Sequence, residues 1–340
     1  MAPELKADLV LSGGGVKGIG LAGAAVALLE AGYAVQRVSG TSAGSIVGAI
    51  LAAGAGKLGP EEVEQLTMTL PYRKFLDPTR ITGIPLLGPA WGVLSETGIY
   101  KGDYAHEWIR SELANLGVHT FGDLAIDAPN VVPERRYRLV VTATDVTTGQ
   151  MVRLPWDYRR LYGLDPDEQL VADAVRASMS IPFFFRTTKL TSASGLTSTL
   201  VDGGMLSNFP IDSFDRRDGK LPRWPTFGVT LLPNLPQGND KVIPVLGPVN
   251  WLFGGPPLIE SLITTMIVGR DQTYLNQPWV DSRAIRVDSS KVGFLDFNIG
   301  AKQMQELYQN GYNGAIDFLS TWNWDEYLER FRRPVGLAKA

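Results

Sequence analysis

The sequence predicts an α/β fold built on a parallel sheet, and two observations carry that expectation. The first 55 residues run strand, helix, strand, helix, a rhythm that calls for right-handed crossovers between parallel strands. The helical stretches of that unit, GIGLAGAAVALLEAG and SIVGAILAAG, are rich in Ala and Gly and can pack close to a sheet. The bulk composition agrees. A chain of 340 residues, 44% hydrophobic and 20% charged, has the profile of a globular protein able to bury a core.

Taken in order, DLVLS is a strand, followed by a Gly-rich turn and a helix that stops at Gly32. AVQRVSG is the second strand, GTSAG a tight turn of small residues, and SIVGAILAAG the second helix. PEEVEQLTMTL and KGDYAHEWIRSELANLG read as helices, the latter amphipathic with a Gly stop. RRYRLVVTATDVTTGQMVRLP reads as two strands joined by a turn at Thr148-Gly149. DEQLVADAVRASMS is helical, TSTLVDGG is a strand closing on two glycines, and PTFGVTLL is another strand. LIESLITTMIVGRD places apolar residues at 258, 259, 262, 263, 266 and 267, one face of a helix packed on the core. RAIRVD and AKQMQELYQNGYNGAIDFL supply a last strand and helix. No repeat or linker divides the chain, so residues 5–325 are expected to form one domain. The basic stretch 326–340, with Arg330, Arg332 and Arg333, reads as a loosely held tail too sparse to anchor a membrane.

Several function classes fall away early. A formal net charge of -3 leaves no basic excess for nucleic acid. The absence of cysteine removes disulfides, thiolate nucleophiles and cysteine metal sites. The start MAPELKADLV has no signal-peptide pattern and no long apolar run follows, so a cytoplasmic protein is expected, with peripheral membrane contact allowed. Only two histidines occur, His106 in a helix and His119 at a helix-to-loop junction, and neither sits in a motif-like turn.

The first strand leads into SGGGVKGIG, where Gly13, Gly15 and Gly18 spell G-x-G-x-x-G. A dinucleotide site also needs an acidic residue about 20 positions on, at the end of the second strand. That strand ends in RVSGTSAG, and Glu30 lies too early, near the end of the intervening helix. G-x-x-x-x-G-K-[ST] is absent as well, so a nucleotide cofactor is disfavoured and an oxidoreductase becomes a distant reading.

At the end of the second strand stands Gly40-Thr41-Ser42-Ala43-Gly44, a G-x-S-x-G between strand and helix. This is the context of a nucleophile elbow, in which glycines permit a tight turn that lifts the serine hydroxyl clear of the backbone. A serine N-cap in an ordinary turn is the plainer alternative. With no histidine in place, Asp202, at the tip of TLVDGG and freed by Gly203 and Gly204, is the candidate base. An aspartate is a weak base near pKa 3.9, and partial desolvation beside an acyl pocket would raise it. The glycine loop then supplies backbone donors for an oxyanion through Gly13, Gly14 and Gly15, with Lys17 either adding positive charge or simply solvated.

SGGGVKG, GTSAG and DGG, in that order, resemble the glycine loop, nucleophile and aspartate blocks of the patatin-like phospholipase family. TATDVTTG (142–149), RASMSIPFFF (176–185) and DGGMLSNFP extend the likeness over about residues 8–212. The resemblance implies a three-layer α/β/α sandwich with a mainly parallel sheet. It implies a Ser–Asp dyad of Ser42 and Asp202, an oxyanion hole at the Gly14 and Gly15 amides and their neighbours, and lipid ester hydrolysis with no cofactor or metal. Lys17 stands where the family often has arginine; Asp145 and Pro182 match family positions and read as structural.

The expected activity is therefore that of a serine lipid acyl hydrolase of phospholipase A or lysophospholipase type, with lipid or phospholipid esters as partners. An acyltransferase using the same dyad and a catalytically silent lipid-binding protein are the alternatives. Two Trp-containing connections, 81–94 and 242–268, have the apolar Pro- and Gly-broken profile of interfacial loops or an acyl-pocket lid.

Overall fold

A computed structural model describes residues 5–78, 98–127, 132–231 and 274–333. The segments 81–94, 242–268 and the helix expected at 258–271 lie outside the described residues.

Among the described residues, eight strands form one mixed sheet, with hydrogen-bonded neighbours in the order β5-β6-β3-β2-β1-β7-β8 and β4 paired to β3. They are β1 (Leu5–Leu11), β2 (Tyr33–Thr41), β3 (Leu139–Asp145), β4 (Gln150–Leu154), β5 (Thr188–Thr191), β6 (Thr197–Asp202), β7 (Thr226–Thr230) and β8 (Ala284–Arg286). The five strands β3, β2, β1, β7 and β8 run parallel. β4, β5 and β6 join antiparallel. The helices are α1 (Gly18–Glu30), α2 (Ala43–Ala53), α3 (Pro60–Met68), α4 (Asp103–Asn115), α5 (Val171–Ser178), α6 (Pro278–Asp281), α7 (Ala301–Thr321) and α8 (Trp324–Phe331).

From β1 the chain steps through β2 to β3 in one direction, and β7 and β8 extend the sheet in the other. Right-handed crossovers in opposite directions cover opposite faces, so the sheet is packed on both sides as an α/β sandwich. Successive strand residues divide accordingly. Leu9, Leu11, Leu139 and Val141 enter the large core beneath α1, α2, α3, α4, α5 and α7. Val10 and Val140 face a smaller cluster with Phe209, Ile211, Phe214 and Val280 of α6. The point where strand order turns, at the carboxyl ends of β1 and its neighbours, is where open α/β sheets place their ligands.

The small residues of α1 serve a second contact besides the sheet. A Cβ on Gly311 of α7 would lie 1.9 Å from the Gly20 carbonyl oxygen, and one on Gly23 would lie 2.1 Å from that of Tyr308. The two helices therefore touch backbone to backbone, and every residue of α1 from Gly18 to Leu28 is buried.

Of the stretch 326–340 expected as a loose tail, residues 326–333 are described, and Trp324–Phe331 form α8, whose N-terminus is capped by the Asn323 side chain accepting from Glu326 N at 3.1 Å. Arg332 donates to Asp215 Oδ2 at 2.7 Å and to the Tyr327 hydroxyl at 2.9 Å. Asp215 also takes both terminal nitrogens of Arg283, which explains why the segment is held: its arginine completes a buried ion cluster.

Candidate active site

β2 ends at Thr41 and α2 begins at Ala43, so Ser42 alone makes the turn between them. Its backbone sits at φ 51 and ψ −121, a region that non-glycine residues enter only when surroundings force them. Those surroundings are specific. Ser42 N donates to Ser178 Oγ at 2.8 Å, and Ser178 Oγ in turn donates to the Thr142 carbonyl at 2.7 Å. Ser45 clamps the Ser42 carbonyl through its hydroxyl at 2.6 Å and its amide at 2.9 Å. The flanking glycines are required by close approach. A Cβ on Gly40 would fall 2.3 Å from the Gly44 carbonyl oxygen, and one on Gly44 would fall 2.4 Å from that of Leu11.

Asp202 reaches this turn because two strands share one edge of β3. Thr41 of β2 lies opposite Thr142, while Asp202 of β6 lies opposite Ala143, the next residue. β4 occupies the other edge along Val141–Asp145, so β2 and β6 must follow one another on the same side. Gly203 lets the chain turn there, since a Cβ would come within 2.4 Å of the Thr142 carbonyl oxygen. Gly204 N donates to Asp202 Oδ1 at 2.8 Å, and Asp202 Oδ2 is buried with no hydrogen-bond partner among the described residues. Burial raises the Asp202 carboxyl to about 7, against the lowering effects of the Ser42 hydroxyl and the Gly204 amide. Ser42 is thus near enough to favour the carboxylate, although no aligned Ser42–Asp202 hydrogen bond forms among the described residues.

The glycine loop meets the serine through strand register. Leu11 pairs with Gly40, which carries Gly13 alongside Ser42; a Cβ on Gly13 would stand 3.1 Å from Ser42 Cβ. One expectation needs correction here. The Gly13 amide is not a free donor, because it bonds to the Asn208 carbonyl at 3.2 Å, while Asn208 Nδ2 returns a bond to the Gly13 carbonyl at 3.3 Å. Gly14 and Gly15 amides donate to no partner among the described residues. Gly15 has φ 57, and a Cβ there would strike the Phe294 carbonyl oxygen at 2.0 Å. Gly18 packs the following helix onto α2, its missing Cβ 2.9 Å from that of Ala43.

Lys17 is buried rather than solvated. Burial lowers its amine to about 8, opposed by the charge of Asp288. His106 pairs with Asp173 at 2.7 Å between α4 and α5, and His119 is exposed. Asp145 caps its own turn, accepting from Thr147 N at 2.9 Å and Tyr162 OH at 2.9 Å. Pro182 begins the turn that continues through Phe183, at φ 67. Ser178, Thr142 and Asn208 support the site without having been singled out as residues, although the quoted stretches RASMSIPFFF, TATDVTTG and DGGMLSNFP contained them.

An α/β sandwich with a serine elbow, a facing glycine loop and a buried aspartate on the adjoining strand defines the patatin class of protein. The sequence profile of the patatin-like phospholipase family matches residues 9–215, and the chain belongs to that family. It is 36% identical to the uncharacterized protein YqhO of Bacillus subtilis over 318 residues, 93% of this chain and 99% of that one. Among solved structures it is similar to VipD of Legionella pneumophila, with a TM-score of 0.52 and 21% identity over 94% of this chain and 67% of that one. Full-length ExoU of the Pseudomonas aeruginosa type III secretion system, solved with SpcU, superposes with a TM-score of 0.47 and 18% identity over 94% of this chain. The chain spans about half of ExoU, 53% of its length. Among the described residues no helix is long and apolar enough to cross a membrane.

Proposed function

We propose that the protein is a serine lipid acyl hydrolase of phospholipase A or lysophospholipase type, with Ser42 as nucleophile and Asp202 as general base. The observation that carries this reading is the shared edge of β3, which sets a strained serine beside a buried carboxylate having one oxygen unengaged. Asp202 Oδ2 takes the Ser42 hydroxyl proton as Oγ attacks the ester carbonyl. The oxyanion of the tetrahedral intermediate is received by the Gly14 and Gly15 amides. Collapse expels the alcohol, which leaves with the proton from Asp202, and the acyl group stays on Ser42. Asp202 then deprotonates a water that attacks the acyl-serine, and the fatty acid departs as Ser42 recovers its proton.

A carboxylate normally near 3.9 would be a feeble base; one raised to about 7 is matched to proton transfer near neutral pH. The test is hydrolysis of short-chain esters and of phospholipid vesicles, together with fluorophosphonate labelling mapped by mass spectrometry. Loss of both signals in Ser42→Ala is expected. An adduct on another residue, or full hydrolysis in Asp202→Asn, would overturn the dyad. Products formed with added alcohol acceptors separate hydrolysis from acyl transfer by the same two residues.

A further inference from the structure

On the second face of the sheet, away from Ser42, lies a cavity of about 520 Å³. Its floor is formed where Asp8, Arg37 and Thr226 lie side by side on β1, β2 and β7. Asp8 precedes Gly13 by five residues, roughly 16 Å of extended strand, so this site is separate from the glycine loop. The lining holds five arginines and three aspartates, in a protein whose net charge is negative.

The three aspartates are already engaged. Asp8 takes Arg37 through Nε at 3.0 Å and a terminal nitrogen at 2.5 Å. Asp218 takes Arg216 in the same forked way, at 2.8 and 2.5 Å. Asp215 is shared by Arg283 and Arg332, neither of which lines the cavity. Arg135 and Arg217 have no ion-pair partner among the described residues.

Arg135 is held by a stack of aromatic rings instead. Its guanidinium lies 4.9 Å over Trp156, whose ring meets Phe214 edge-on at 5.9 Å, and Arg37 covers Phe214 at 4.5 Å. Burial, followed by the charges of Arg217, Arg153 and Arg37, makes the Arg135 cation less favourable, with Asp157 opposing. Behind this corner and off the lining, Trp156 Nε1 and Arg153 Nε are buried without acceptors among the described residues. Ile126, Val132, Pro222 and Trp224 provide an apolar wall beside this cationic corner.

We propose that this cavity is a second ligand site that binds an organic phosphomonoester, the phosphate held by Arg135 and Arg217 and the organic part laid against Trp224. Guanidinium forks match phosphate oxygens in pairs, and a phosphomonoester carries about −1.5 to −2 charge at neutral pH. That value offsets the two guanidinium charges, of Arg135 and Arg217, that no ion pair takes among the described residues. A carboxylate would leave one of the two uncompensated. The apolar wall favours a phosphate that bears an organic group over the bare ion.

Isothermal titration calorimetry on the full chain tests this, using glycerol 3-phosphate and AMP as probes and, on Ser42→Ala so that ester hydrolysis contributes no heat, monomeric dihexanoyl phosphatidic acid. Inorganic phosphate, glycerol and adenosine serve as the matched parts. Saturable binding of at least one probe is expected with Kd below about 1 mM, weakened at least about tenfold in Arg135→Gln/Arg217→Gln. The tightest probe assigns the source as a headgroup fragment, a nucleotide or a lipid. Arg217 is exposed, so Arg217→Gln alone should fold normally and still weaken binding. Ser42→Ala should bind as the wild type does, because the site is remote from the serine. Absence of saturable binding by all three probes, equal affinity in the double variant, or binding by inorganic phosphate as tight as by the probes would overturn the proposal.

Discussion

Asp202 continues the edge of β3 that Thr41 leaves: Thr41 stands opposite Thr142, and Asp202 stands opposite Ala143. One strand ends and a second, arriving in the opposite direction from a distant part of the chain, pairs with the next residue. The gap between them is the Ser42 turn. This explains how a serine near the start of the chain and an aspartate 160 positions later are brought together by backbone pairing instead of by a flexible loop.

The first expectation concerns the two side chains themselves. Asp202→Asn keeps the shape and the Gly204 contact but removes the carboxylate proposed as base, so kcat should fall by about 10²- to 10⁴-fold. Ser42→Ala should reduce ester hydrolysis to background. Steady-state kinetics on a soluble ester, with circular dichroism to establish folding, measure both.

The second concerns pH. Because the base must be ionised, kcat/KM should rise with pH through about 7 and level off above it. Stability should move the other way. A folded-state value raised from about 3.9 means that the native protein holds a proton the unfolded chain has lost. Asp202 therefore contributes stability that is full below about pH 4 and is lost as pH rises through about 7. Asp202→Asn should cancel this contribution, so its Tm advantage over the wild type should grow between pH 5 and pH 8, flagged by thermal melts across that range of about three units.

The third concerns the support of the turn. Ser178→Ala removes the acceptor of the buried Ser42 amide and the donor to Thr142. A stability loss of about 1–3 kcal/mol is expected from the orphaned groups. Displacement of Ser42, the proposed nucleophile, should lower kcat by about tenfold to a hundredfold with KM nearly unchanged. Unaltered kcat in a folded Ser178→Ala protein would remove Ser178 from the positioning of Ser42.

The fourth contrasts two glycines. A methyl group on Gly44 would lie 2.4 Å from the Leu11 carbonyl oxygen and 2.5 Å from that of Ser12. Both are backbone atoms that cannot swing aside, so Gly44→Ala should cost about 1–3 kcal/mol and disturb the register between loop and serine. Gly293→Ala meets only Asp296 Cβ at 3.6 Å, an ordinary contact, and should melt with the wild type.

Much of the fold was legible because its signals are local. The βαβα opening, the helix ending before Gly32 and the strand pair around Thr148-Gly149 follow from apolar periodicity and turn chemistry. The G-x-S-x-G turn and DGG were legible for the same reason: each needs small residues within a few positions. What escaped are partners that meet across long separations. Ser178 lies 136 positions from Ser42, and Asn208 lies 195 from Gly13, so nothing in either neighbourhood announces the contact. The sequence leaves Lys17 open between a charge beside the loop and a solvated lysine, because burial is a property of the packed layers. Arg332 looked like part of a loose tail because Asp215, which holds it, is 117 positions away.

By itself, then, the sequence determined the α/β class, the strand-to-helix turn at Ser42, the glycine loop that faces it and the aspartate at the end of β6. These are written in residues whose backbone freedom, hydrogen-bond capacity and apolar spacing act over a few positions. The tertiary structure alone decided that β2 and β6 share an edge, that the Gly13 amide is engaged by Asn208 while those of Gly14 and Gly15 have no partner among the described residues, and that burial raises the Asp202 carboxyl. Each of those depends on which distant segments exclude water from a given atom, and desolvation is set by the assembled neighbours rather than by the residue that experiences it.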